Sequence, residues 1–305
     1  MNSDSSSPCV VILTALSVER QAVAAHLLNL HEGTHPEGTV YWHGSFPSER
    51  CEWQAKLVEI GSGNADAAFE TERAISYFKP EVTLFVGVAG GLKDVHIGDV
   101  VVANKVYNYE SGKASIVFQP RPQVGNATYR MEQRARADAG NRNWLKRIKG
   151  PAPLHEPTVY VAPIVAGEKV INSTRSDIYL SVRDQYSDAL AVEMEGHGFL
   201  RAVRANQFVN ALVIRGISDL VEGKSKEDAN GSQVLASRHA SAFAFEILAR
   251  LGADKHFLTK VAQTRPAKAQ KHKRLAPKYS ISNTGQMAVG DNASMTNNNW
   301  YQSQE

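Results

Sequence analysis

VTLFVGVAGGLKDVHIGDVVVA, residues 82–103, decides the architecture. Val82–Val88 is apolar and largely β-branched, the composition of a strand buried on both faces. Gly90 and Gly91 follow, and Ile97–Val106 is a second strand that takes in Gly98-Asp99. Such a glycine-rich passage is either a tight strand–strand turn or a place where backbone N–H groups approach a ligand closely. Working outward, Cys9–Ala15 is a short buried strand and Val18–Leu30 is an amphipathic helix with Ser17 as its N-cap. Val40–Phe46 and Trp53–Ile60 are strands, and Ala65–Phe78 is a helix ended by Pro80. Downstream come a strand at Val159–Val165, a helix at Ser173–Tyr186 and a short strand at Ala189–Val192. That strand runs into a helix, Met194–Ala205. Phe208–Gly216 and Gln233–Leu251 complete the series as strand and helix. Residues 107–156 interrupt it as an insertion with one helix, about Ala127 to Lys149. The alternation predicts one α/β domain over residues 1–254, with helices on both faces of the sheet.

Composition sets the class. The chain has 305 residues, 43% hydrophobic and 21% charged, enough to bury a core without disulfides or a structural metal. Its apolar runs are too short to span a bilayer, and the absence of Lys or Arg before Arg20 argues against a signal peptide. Cys9 and Cys51 are too few for a disulfide framework or a cysteine zinc site, which suits a reducing cytoplasm. The formal charge of +3 hides an asymmetry, because residues 255–278 carry eight Lys/Arg and no acid. Residues 255–279 are expected to be a solvated basic linker. Residues 280–305 are expected to be a polar Asn/Gly/Ser-rich tail module with a strand at Gln286–Val289 and a turn at Gly290-Asp291-Asn292. The basic stretch has Phe257 as its one aromatic, so it lacks a stacking surface for nucleic acid.

Two familiar phosphate motifs fail on inspection. Gly61-Ser62-Gly63 follows a strand and precedes a helix, but Asp66 stands where a dinucleotide fold needs a third small residue. Gly223-Lys224-Ser225 mimics the end of a P-loop, but Ser218 replaces the required upstream glycine. No histidine pair has metal-ligand spacing, so no metal is expected.

Two further clusters belong with residues 82–103. AVEMEGHGFLRA, residues 191–202, ends a strand on Glu193 and Glu195 at the start of a helix. Carboxylates there either complement the helix dipole or accept the two hydroxyls of a ribose diol. LVIRGISDLVEG, residues 212–223, ends a buried strand on Arg215, Ser218 and Asp219. Ligands in open α/β sheets sit at such carboxyl ends.

The set TALxxE (Thr14–Glu19), GxAGGL (Gly87–Leu92), GD (Gly98-Asp99), xEMEG (Val192–Gly196) and RGISD (Arg215–Asp219) resembles the nucleoside phosphorylase/nucleosidase superfamily. The resemblance covers about residues 9–252 and is strongest to methylthioadenosine/S-adenosylhomocysteine nucleosidases. It implies a single α/β domain whose central mixed sheet curls towards a barrel, a homo-oligomer, and no organic cofactor. It also implies roles. Asp219 would protonate purine N7, assisted by Ser218. Glu19 would activate water, with Arg215 nearby. Met194 would pack on the sugar, Glu195 would hold its hydroxyls, and Ala89 and Gly90 would line the site through their backbone. Protonation at N7 lets the purine leave neutral, while the sugar becomes oxocarbenium-like and water attacks its opposite face. TALSVE has no glycine-rich phosphate loop, which favours hydrolysis over phosphorolysis, with Arg20 the one nearby cation.

Two positions depart from that pattern. Val88 stands where methylthioadenosine nucleosidases carry Ser, and Val170 where they carry a purine-stacking Phe. Lys113, Arg121 and Lys169 are candidate contacts for a 5′-phosphate, alongside Arg130, Arg134 and Arg136 of the insertion. The expected substrate is therefore an adenine nucleoside or a nucleotide such as AMP, ATP or NAD. The basic segment and tail resemble appendages of nucleosidase-like effectors in bacterial antiviral defence, which implies a regulatory protein partner. The competing readings are a weakly active nucleotide-sensing module of a multi-protein complex and a phosphate-dependent phosphorylase.

Overall fold

A computed structural model describes residues 7–116, 118–151, 153, 155–206, 208–221, 231–264, 279–281 and 287–289. The chain divides into two compact units, Met1–Ala262 and Gln263–Glu305. In the first, β1 (Cys9–Thr14), β5 (Val82–Gly91) and β12 (Asn210–Asp219) run parallel at the centre of a ten-stranded sheet. On one side the sheet continues through β4 (Glu52–Glu59), β3 (Val40–Pro47) and β2 (Leu28–Thr34). On the other it continues through β6 (Val100–Asn108), β10 (Val159–Ala166) and β11 (Ala191–Glu193). Strand β11 then pairs antiparallel with β5, so β5, β12, β6, β10 and β11 close into a five-stranded barrel.

The two-residue side-chain period of strands builds a core on each face. Val10, Ile12, Leu84, Val86, Leu212 and Ile214 pack on one side with Phe243 and Phe245 of a long helix, Ser232–Ala253. Val11, Leu13, Phe85, Val213 and Ile217 pack on the other. They meet α2 (Asn64–Phe78) and α5 (Gly196–Ala205) through residues such as Ala67, Ile75, Phe199 and Val203. Trp53 is fully buried and its indole N–H donates to Leu248 O at 3.0 Å, so its one polar atom is satisfied. Helices α2 and α5 meet at backbone contact. Gly198 N–H donates to Asn64 Oδ1 at 2.9 Å, and a Cβ on Gly198 would collide with Asn64 O.

Several elements differ from the sequence expectation. Helix α1 is Ser17–Ala24 and stops six residues early, because Leu28–Thr34 is taken as an edge strand by β3. Ser17 is the first helical residue rather than the cap, and the Glu19 carboxylate binds the preceding amides instead. The glycines after Val88 continue β5 as paired strand. The insertion holds the ribbon β7 (Gly112–Lys113) and β8 (Gln119–Pro120), then β9 (Gln123–Asn126), which pairs with β6. Its helix α3 is shorter, Tyr129–Ala139, and is followed by a 3-10 turn at Arg142–Arg147. Helix α4 spans Asp177–Gln185 with Ser176 as its cap, and the Ser232–Ala253 helix is α6.

The first ten residues of the stretch expected as linker form α7, Lys255–Thr264. Its Phe257 and Val261 are buried in the core beside Trp53. In the second unit, β13 (Tyr279–Ile281) pairs antiparallel with β14 (Met287–Val289), close to the strand expected at 286–289. The turn expected at 290–292 lies outside the described residues. Among the described residues, no helix is long and apolar enough to cross a membrane.

Candidate active site

The carboxyl ends of β1, β5 and β12 meet the end of β11 around a cavity of about 250 Å³. Glu19 lines it from α1, and Val88, Ala89 and Gly90 from β5. Glu193, Met194, Glu195, Ser218 and Asp219 line it from β11 and β12. Clusters far apart in sequence are thus brought to one hollow, where strand topology puts ligands in such sheets.

One wall is a buried charge cluster. Arg215 has no solvent exposure. Its Nη2 donates to Glu193 Oε2 and, at 3.1 Å, to Glu195 Oε2, and its guanidinium stacks 4.3 Å above the Phe85 ring. Among the described residues, its Nε and Nη1 have no hydrogen-bond partner. Burial disfavours the charge on Arg215, but Glu193, Glu195 and Glu19 outweigh that and raise its pKa. Glu19 is held by three backbone N–H groups: Ala15 at 2.7 Å, Leu16 at 2.9 Å and Val88 at 2.8 Å. Gly87 is required here, because a Cβ would lie 2.5 Å from Glu19 Oε1 and would collide with Arg215 Nη1.

Three carboxyls facing one guanidinium in a dry setting cannot all ionise cheaply. Glu19 is pushed up by burial, against the pull of Arg215 and its three amide donors. Glu195 is pushed up to about 8, first by burial and further by Glu193 and Glu19, while Arg215 and the Gly63 N–H work the other way. Burial and the two acidic neighbours thus favour the protonated form of Glu195.

The second wall is the end of β12. Two residues, Ser218 and Asp219, face Gly90 where register demands one, a bulge that re-aims both side chains. Ser218 Oγ lies 3.0 Å from Asp219 Oδ2 and 3.4 Å from Ala89 O. Val221 N–H donates to Asp219 Oδ1 at 3.0 Å from a φ of 69°, a strained conformation for a β-branched residue. A Cβ on Gly90 would lie 3.1 Å from Asp219 Oδ1, so the glycine lets the carboxyl approach the strand.

The loop after β10 forms the rim. Lys169, Val170 and Ile171 line the cavity, with Val170 exposed and Ile171 buried. Lys169 Nζ is bound to Glu110, and Glu168 accepts the Asn64 N–H at 3.2 Å. Lys113 lies on β7 and Arg121 just after β8, and neither contributes to the lining. Arg130, Arg134 and Arg136 face Asp254, Asp138 and Glu132 respectively. Arg20 is bound to Glu59 at 2.8 Å and stacks on Trp42.

Sequence reasoning assigned no structural role in the site to several contributors. Glu193 accepts the Gly196 N–H through both oxygens, at 2.9 and 2.8 Å, and so fixes the turn that carries Met194 and Glu195. Asn64 and Glu168 tie the turn and the rim to the start of α2. Ser62, Gln233 and Ile171 complete the lining. Only the Glu193–Glu195 spacing gave a signal for any of these. Among the described residues, no group of three or more His, Cys, Asp or Glu could hold a metal ion.

Comparison with known proteins fits this geometry. A family model described as the phosphorylase superfamily matches residues 10–252. An ATP nucleosidase, Cap17, from Escherichia coli (strain KTE188) is 29% identical over 246 residues, covering 73% of this chain and 48% of that protein. The chain thus spans about half the length of that relative. A 5′-methylthioadenosine/S-adenosylhomocysteine nucleosidase from Staphylococcus haemolyticus is 27% identical over 171 residues, covering 55% of this chain and 70% of that one. The Neisseria meningitidis nucleosidase of that name, solved with methylthio-immucillin-A, superposes with a TM-score of 0.65 at 19% identity, over 80% of this chain and 99% of that one. That similarity shows a shared fold.

Proposed function

The chain belongs to the phosphorylase superfamily, and from that premise we propose that it is a purine N-ribohydrolase. It cleaves the N-glycosidic bond of an adenine nucleoside or nucleotide without metal or organic cofactor. The observation that carries the reading is one cavity with two chemically distinct walls: Asp219 with Ser218 on one side, and Glu19, Glu195 and Arg215 on the other.

In this reading Asp219 protonates purine N7, and Ser218 fixes the orientation of its carboxyl. Ala89, Gly90 and Val170 border the base, and Met194 packs on the sugar. Glu195 takes the ribose diol. The diol brings two O–H donors, which favour the ionised carboxylate, so substrate binding displaces the proton that Glu195 holds in the free protein. Glu19 accepts a proton from the attacking water, for which a raised pKa is an advantage in a base. Arg215 balances the charge that builds as both carboxyls ionise.

Hydrolysis is supported by the occupation of Arg20, which is committed to Glu59 and Trp42 rather than offered to a phosphate. Adenine nucleotides belong in the substrate class because an ATP nucleosidase is among the relatives. Of the six cations considered for a 5′-phosphate, Lys169 is the one on the rim, and a phosphate there competes with Glu110 for it. A self-associating chain, and a protein partner for the tail in antiviral defence, complete the proposal.

The test is adenine release, read by chromatography, from methylthioadenosine, adenosylhomocysteine, adenosine, AMP, ATP and NAD. Each is run with and without phosphate, beside Asp219→Asn. Release independent of phosphate and lost in Asp219→Asn supports the reading. Release that requires phosphate overturns hydrolysis, and no release from any of the six leaves a sensing module instead.

A further inference from the structure

A second cavity of about 760 Å³ lies between β9 and α5, and it shares no lining residue with the first. Its volume falls in the range of small-molecule sites. Leu200, Val203 and Val209, all buried, give it an apolar floor. Arg201 and Arg204 line it, and both are exposed. Neither has an ion-pair or hydrogen-bond partner among the described residues. They stand three apart on α5 and are therefore neighbours on its surface. Helix α5, GHGFLRAVRA, carries no acid to offset them. Arg204 sits in the last turn, where a cation complements the helix dipole. Arg201 is mid-helix and has no such account.

The other walls add a second kind of chemistry. Gln123 and Asn126 present exposed side-chain amides from β9. Asn206 lines the same groove, with its amide nitrogen bound to Glu72 at 2.6 Å and its side-chain oxygen left as an acceptor. Phe208 is 89% exposed and lies in the chain between Asn206 and Val209, two residues that line the groove. Two unpaired guanidiniums suit phosphate oxygens. Amides suit the edge of a base, and a bare aromatic ring suits its face.

We propose that this groove binds a nucleoside di- or triphosphate, and that occupancy regulates the first cavity. The link is mechanical. Helix α5 begins one residue after Glu195, its Gly196 N–H is held by Glu193, and its Gly198 N–H is held by Asn64. A ligand that pulls on Arg201 and Arg204 pulls on the helix whose start carries the Met194–Glu195 turn. The binding site stands whether or not the first cavity is a nucleosidase.

The test is calorimetric titration of the full chain at low salt with ADP and, separately, with inorganic diphosphate. Wild type is compared with Arg201→Ser/Arg204→Ser, with Phe208→Ser and with Glu195→Gln. The double variant is expected to weaken ADP binding about tenfold or more and to keep the wild-type melting curve, since both side chains are exposed. Phe208→Ser is expected to weaken ADP and leave diphosphate unchanged. Glu195→Gln is expected to retain the component that the arginine pair removes. The proposal is overturned if ADP binds the double variant as it binds wild type, or if its binding is lost in Glu195→Gln alone. It is also overturned if Phe208→Ser leaves ADP unchanged, or if ADP at about 1 mM gives no heat of binding.

Discussion

Glu195→Gln removes a carboxyl that the fold holds up to about 8, from an ordinary value of 4.5. Between those two values the folded chain binds more protons at this site than the unfolded chain, so the site's contribution to stability falls as pH rises. The two values give a loss on the order of 2 kcal/mol between about pH 6.5 and pH 8. Other groups act in the opposite sense. His26 is held down to about 3 by burial and by Lys149 and Arg147. It adds a smaller amount, under about 1 kcal/mol, over the same window, as the unfolded chain sheds its imidazolium proton. His43, His197 and His239 are also held down, chiefly by burial, and work in the same direction as His26. The wild-type curve alone is therefore flattened. The signal lies in the difference between wild type and Glu195→Gln, where the histidines cancel and Glu19 cancels to first order. Urea titrations at several pH values measure it. The variant should gain on the order of 2 kcal/mol on wild type across the window, or about two-thirds of a molar in midpoint at a slope of about 3 kcal/mol/M. A difference that stays constant, or that shrinks as pH rises, refutes the placement of a proton on Glu195.

Three further outcomes are expected. Asp219→Asn should lower adenine release by about 10²–10⁴-fold, with the melting temperature nearly unchanged because the amide fills the same space; a wild-type rate shows that Asp219 is not the acid. Arg215→Met leaves Glu19, Glu193 and Glu195 without their cation and should cost about 3–5 kcal/mol in urea unfolding; a loss below about 1 kcal/mol contradicts the charge accounting. Gly87→Ala sets a methyl 2.5 Å from Glu19 Oε1 and should cost about 1–3 kcal/mol by overpacking, with adenine release falling further than stability explains; an active, fully stable variant shows that the strand has room.

The buried strands were legible because their composition is their environment. CVVILT is buried at every position, and no helical or exposed reading fits it. The edge strand LNLHEGT was not legible. Almost all of it is exposed and nothing in it alternates, so pairing with β3 alone makes it a strand. QVGN at β9 is equally silent and is fixed by β6. The helix at 255–264 was masked by its lysines, although Phe257, Leu258 and Val261 share one face. The site was legible as three clusters at strand ends, but the bonds that organise it are not local. Glu193 meets Arg215 across 22 positions, and Asn64 meets Gly198 across 134. No spacing rule reaches that far.

The seam of the barrel explains why those distant bonds converge here. Strand β11 is three residues long and touches β5 through two pairs, Ala191 with Gly91 and Val192 with Gly90. Glycine is a poor strand former, yet larger residues would not fit. A Cβ on Gly91 would lie 2.7 Å from Val95 Cγ2 and 2.9 Å from Leu220 Cδ2. The passage that looked like a ligand-binding turn in sequence is therefore first a closure device. Closing the barrel carries Glu193, on β11, to Arg215 on β12, which brings the turn bearing Glu195 against the same guanidinium. Glu19 reaches the cluster from α1 by binding Val88 on β5. Glu193 and Glu195 arrive together on one turn and Glu19 on another element, and neither group meets Arg215 until the seam is shut. The repulsion among them opposes that closure, and Arg215 with the backbone donors offsets it. Barrel stability and the protonation state of the cavity are thus one equilibrium.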